Sequence, residues 1–106
     1  MAYELSLCLP GIRPKFWKSV YETAKDSCSR YSFELVIISP YDLPSELQYI
    51  DNIKFIKDYG NQNRAIQIGA LHSQGRLIVV SCCDDGVFLP DGLNQSIDLY
   101  NSINKY

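Results

Sequence analysis

Two adjacent acids, Asp84 and Asp85, follow the apolar run Leu77-Ile78-Val79-Val80 and precede Gly86-Val87-Phe88-Leu89-Pro90. Carboxylates just beyond the end of a buried strand sit where open α/β sheets place their ligands. Side by side they repel, so they must be solvated or neutralised. Two readings follow. One is a solvated turn in which an acid caps the next segment, a frequent use of such pairs. The other is a Mg2+ or Mn2+ site, because hard cations take carboxylate oxygens and complete their shell with phosphate and water.

Two other loops could serve the same chemistry. The first β-rich run ends in Leu9-Pro10-Gly11-Ile12-Arg13-Pro14. The glycine spacing of a phosphate-cradling loop is absent, so Pro10 and Gly11 are expected to shape a turn that offers backbone groups to a base or ribose. Arg13 reads either as a nucleotide contact or as a solvated loop arginine. Gly60-Asn61-Gln62-Asn63-Arg64 precedes a helical pattern, where backbone N–H groups favour an anion and Arg64 would enter the same crevice. An asparagine cap beside an exposed arginine is the alternative. Cys8, Cys28, Cys82 and Cys83 show no CxxC spacing, and the sole histidine, His72, carries no assigned role. Zinc is therefore not expected; reduced core thiols of a cytoplasmic protein are.

These residues need elements to position them. Four β-rich runs stand out: Leu5–Leu9, Glu34–Ser39, Ile53–Lys57 and Arg76–Cys82. The second and fourth are nearly continuous apolar stretches, the pattern of parallel strands covered on both faces. Phe16, Val20, Ala24 and Cys28, with Trp17 and Tyr21, predict a helix from about Pro14 to Ser29, with the proline in its first turn. A short helix is expected over Ser45–Ile50, after the proline-bounded loop Pro40–Pro44. Another should run from Asn63 to Ser73, with Ala65, Ile68 and Leu71 facing the sheet and Gly75 ending it. Leu93, Ile97 and Tyr100 predict a last helix within Asp91–Asn104. The order implies an α/β fold: a Rossmann-like parallel sheet of about four strands with helices on both faces.

Bulk properties narrow the function. A chain of 106 residues makes at most one domain. Net charge is −2 with no Lys/Arg stripe, which argues against polynucleotide binding. No apolar run approaches the roughly 20 residues of a membrane span, and Met1-Ala2-Tyr3-Glu4 lacks the features of a secretory signal.

Taken in order, these pieces resemble the N-terminal, nucleotide-sugar-binding half of GT-A glycosyltransferases of the family-2-like group. The resemblance rests on Leu5–Pro10, Phe33–Ser39, Gly60 with Asn61–Arg64, Gly69–Ile78, the acids Asp84-Asp85, and Leu89–Leu93. It implies that Pro10–Arg13 and the loop after Ser39, including Asp42, hold the base and ribose. Arg64 would approach the nucleotide. Asp84 and Asp85 would hold a Mg2+ or Mn2+ ion bridging the diphosphate of a nucleotide-sugar donor. The acceptor, a saccharide or a lipid-linked group, is not identified, and a position peripheral to the inner face of the membrane is compatible with it.

The chain departs from that pattern in three places. The acid common at the end of the second strand is replaced by Ser39-Pro40. The first acid of the Asp-x-Asp motif falls on Cys82 or Cys83, and a thiol is a poor ligand for Mg2+. The acceptor half and its catalytic base would lie beyond Tyr106, so the expectation is a donor-binding half, as a fragment or a natural half-domain, with no catalytic residue assigned. A non-catalytic binding or assembly module is the alternative, and an exposed apolar face would favour a homo-oligomer. Receiver and flavodoxin-like readings fit poorly, because Cys8-Leu9-Pro10 stands where those need acids or a phosphate loop.

Overall fold

Leu5, Leu7 and Leu9 point to one face of the first strand and Ser6 and Cys8 to the other, and all five are buried. That two-sided burial is the mark of a central parallel strand. A computed structural model, which describes residues 3–103, places it second from one edge of a four-stranded sheet. The strands are β1 (Tyr3–Pro10), β2 (Phe33–Ser39), β3 (Ile53–Lys57) and β4 (Gly75–Val79), all parallel, in the order β3-β2-β1-β4. Three helices flank the sheet: α1 (Trp17–Ser27), α2 (Gln62–His72) and α3 (Gly92–Ile103). The fold is α/β and Rossmann-like, as expected.

The two faces are unequal. Trp17, Val20 and Ala24 of α1 and Ile97 of α3 pack on Leu5, Leu7, Leu9, Leu35 and Ile37. Trp17 is wholly buried, and removing a buried aromatic side chain costs about 3–5 kcal/mol. On the opposite face α2 alone covers Cys8, Val36 and Ile38, chiefly through Ala65. Gly69 makes this close approach possible, because a Cβ there would lie 2.9 Å from Ile38 Cδ1 and 3.1 Å from Cys8 Cβ.

Several boundaries differ from expectation. The fourth strand ends at Val79 and is an edge strand with alternating exposure: Ile78 and Val80 are exposed. An uninterrupted apolar run does not distinguish a covered strand from an edge strand whose outer face finds no helix. Leu71 points to solvent, since the approach at Gly69 turns the face of Ala65 and Gly69 to the sheet. Helix α2 ends at Ser73 in extended backbone, and Gly75 belongs to β4. The expected helix at Ser45–Ile50 is one 3-10 turn, Ser45–Leu47, stopped by extended Gln48 and by Tyr49 at φ 68°. Before α1, Pro14–Phe16 forms a 3-10 turn instead of the first helical turn. Asn104 lies outside the described residues, as do Met1 and Ala2. Among the described residues no helix is long and apolar enough to cross a membrane.

Candidate functional site

In the order β3-β2-β1-β4 the chain steps outward from β1 to one side, then returns to its other side. The loops after β1 and β4 therefore diverge, and a crevice opens between them at the carboxyl ends of the strands. It encloses about 260 Å3, just under the roughly 300–1,000 Å3 of formed ligand pockets. Residues 10–13 form one wall and residues 81–85 another, while Asp58, Gly60 and Asn61 close the far end.

Asp84 holds the two main walls together. It is 6% exposed. Its Oδ2 accepts the backbone N–H groups of Ile12 and Arg13, each at 2.7 Å. The solvated turn with an acid capping the following segment is not what Asp84 forms: it is buried and accepts from the loop across the crevice. Gly11 sits on the Trp17 indole, where a Cβ would come within 2.6 Å of Nε1, so the loop can lie flat only with glycine there. Among the described residues that buried indole N–H has no hydrogen-bond partner.

Asp85 is exposed, and the Arg13 guanidinium lies between the two acids. Arg13 Nη1 is 3.4 Å from Asp84 Oδ1 and 3.4 Å from Asp85 Oδ2. The repulsion that made a bound cation attractive is therefore relieved in part by a side chain of the protein itself.

The residues expected at the site divide. Pro10, Arg13, Asp84 and Asp85 line the crevice. Ser39, Asp42 and Arg64 do not. Ser39 is buried and its Oγ accepts the N–H of Tyr41. Asp42 turns to the surface and pairs with Lys57. Arg64 folds back on Asp58, with Nε 3.1 Å and 3.2 Å from its two carboxylate oxygens. Asn61 is the helix cap, its Oδ1 accepting the Arg64 N–H at 2.9 Å.

Asp58 is the lining residue that sequence reading passed over. It follows β3 as Asp84 follows β4, so the rule that singled out one acid would have found the other. The hydrogen bond from Arg64 and the N–H of Gly60 hold its carboxyl below the usual carboxylate range, against the opposing effect of burial.

The thiols are not all core groups. Cys8 and Cys28 are buried, Cys82 is half-buried and Cys83 is exposed; all four are free. Burial, reinforced by Cys8 and Cys83, pushes the Cys82 thiol up to about 12. It is a protonated, soft group and not a ligand for a hard cation.

The donors that suit a hard divalent ion here are carboxylate oxygens, since the thiols of Cys82 and Cys83 that also line the crevice are soft. Asp85 is engaged by Arg13 through Oδ2, whereas Asp84 is engaged at both oxygens, Oδ2 by two backbone N–H groups and Oδ1 by the loose Arg13 contact. Among the described residues no group of three or more His, Cys, Asp or Glu side chains is arranged to hold a metal. One or two carboxylates suit Mg2+ or Mn2+ when phosphate and water supply the rest of the shell. The donor set fits a shared ion and not a protein-caged one. No family model, curated protein or solved structure matches this chain.

Proposed function

We propose that the chain is the donor-binding half of a GT-A-type glycosyltransferase, taking a nucleoside-diphosphate sugar in the crevice between β1 and β4. The observation that carries this reading is the pair Asp84-Asp85 at the topological switch point, facing a loop that Asp84 itself anchors. In this reading the residues have separate tasks. Asp84 keeps the loop from Gly11 to Arg13 against the crevice, so its backbone can meet the base or ribose. Asp85 offers carboxylate oxygens to a Mg2+ or Mn2+ ion shared with the diphosphate. Arg13 contributes positive charge beside the phosphates. When bound, the metal supplies Lewis-acid stabilisation of the departing nucleoside diphosphate.

The test is calorimetry with Mn2+ and a panel of nucleoside diphosphates. Asp85→Asn is expected to abolish the metal-dependent part of the affinity, while unchanged Mn2+-dependent binding would overturn the assignment.

A second reading, a binding or assembly module without transfer, draws on the same crevice. An inverting transfer needs a carboxylate base near the acceptor hydroxyl. Asp58 is engaged by Arg64, Asp84 by two backbone N–H groups, and Asp85 by the metal in the reading above. Cys82-Cys83 also stands in place of the first acid. Donor hydrolysis and transfer assays separate the two: turnover supports the enzyme, and binding without turnover supports the module.

A further inference from the structure

We infer that Arg13 is the resident counter-cation of the acid pair, displaced by a divalent ion and then turned toward the diphosphate; this rests on the donor-site reading above. Among the described residues no other lysine or arginine forms an ion pair with Asp84 or Asp85. The guanidinium bridges both carboxylates through one nitrogen at 3.4 Å, well beyond the roughly 2.7–2.9 Å of a tight charge-assisted bond. It is held by charge more than by hydrogen-bond geometry, and the side chain is 48% exposed. Such a contact exchanges readily.

The backbone of the same residue is held differently. Its N–H donates to Asp84 Oδ2 at 2.7 Å, and the following Pro14 disfavours the helical region for Arg13, which sits at φ −128° and ψ 78°. The main chain is thus fixed while the charged head is loose, and the side chain can change partner without moving the loop. Charge accounting agrees. The free pair carries two negative charges and one guanidinium. A divalent ion neutralises the pair completely, leaving Arg13 without a partner except the anion that arrives with the metal.

The experiment titrates Mn2+ into the wild-type chain and into Arg13→Gln, with and without inorganic pyrophosphate, by calorimetry. Arg13→Gln is expected to bind Mn2+ alone about two- to tenfold tighter, the scale of removing one exposed ion pair and one loose pair to a buried acid. With pyrophosphate present, it is expected to bind the metal–anion pair more weakly than wild type by a similar factor. Arg13→Lys, which restores a cation, should return both values toward wild type. Opposite signs on the two probes distinguish a displaced counter-ion from loop damage, which would weaken both. If wild type binds Mn2+ with pyrophosphate but Arg13→Gln gains no affinity for Mn2+ alone, the inference is overturned and the donor-site reading stands. If neither protein binds Mn2+ under either condition, the donor-site reading falls and the inference falls with it.

Discussion

The adjacent aspartates both line the crevice but differ in setting, Asp84 being buried against the Ile12–Arg13 backbone and Asp85 exposed. Asp84 is a structural acceptor whose loss leaves the N–H groups of Ile12 and Arg13 without a partner. Hydrogen bonds to a charged acceptor contribute about 1.5–3 kcal/mol each, discounted here because the loop reaches water. Asp84→Ala is expected to destabilise the fold by about 2 kcal/mol, read as a lower urea midpoint. An unchanged midpoint would show that the loop holds itself. The vicinal cysteines divide in a similar way. Unfolded thiols ionise near pH 8.5, whereas folded Cys82 keeps its proton up to about 12. The unfolded chain therefore loses this proton first, and stability should fall as pH rises between those values. At about pH 8 an alkylating reagent should modify exposed Cys83 and spare Cys8 and Cys82, as mass spectrometry of the native protein would reveal.

Among the elements, the junction between α2 and β4 depends on a polar group in the core. Glu34, in the middle layer at the start of β2, is 2% exposed. Its Oε2 accepts the Ser6 hydroxyl and the Gln74 N–H, both at 2.6 Å, and Ser6 Oγ in turn accepts the Gly75 N–H at 2.8 Å. This relay fixes where α2 stops and β4 starts, and therefore the register that carries Asp84 to the crevice. Glu34→Ala would strand the buried Ser6 hydroxyl and the part-buried Gln74 N–H, at about 1–3 kcal/mol for the buried donor and less for the other. The expected result is a large fall in thermal midpoint together with faster amide exchange at Gln74 and Gly75. Loss of stability without local exchange at those amides would place the relay's effect elsewhere. On the other face, α3 is tied to the end of α1 by Asn94, which accepts the Arg30 N–H, and by Ser27, whose Oγ accepts the Leu93 N–H.

For the molecule as a whole, the unguarded edge is β4. Among the described residues it pairs with β1 alone, and Ile78 within it and Val80 just past it are 42% and 52% exposed, with Leu71 of α2 also exposed. Edge strands that avoid pairing usually place charge or proline there; here only Arg76 does so, and it turns to Glu4 and Asn101. Sedimentation velocity is expected to detect concentration-dependent self-association, relieved when Ile78→Lys and Val80→Lys are combined. Both positions face solvent, so the double variant should keep its fold. A wild-type chain that remains monomeric at high concentration would show the edge to be inert.

The alternation of apolar runs with turn residues was enough to anticipate the parallel α/β sheet, because strand and helix periodicities are local and each run is long enough to declare one. The acid pair and the Pro10–Arg13 loop were legible for a similar reason, since chemistry-bearing side chains at strand ends need no partner to be noticed. Tertiary packing alone decided which acid would be buried, that Arg13 would bridge the pair, that Arg64 would turn to Asp58, and that β4 would be left half bare. The contacts of Asp84 and Arg13 join residues distant in the chain, the turn of Arg64 to Asp58 depends on how the loop before α2 folds, and the exposure of β4 depends on which face no helix reaches. A pattern read along the backbone contains no such distance.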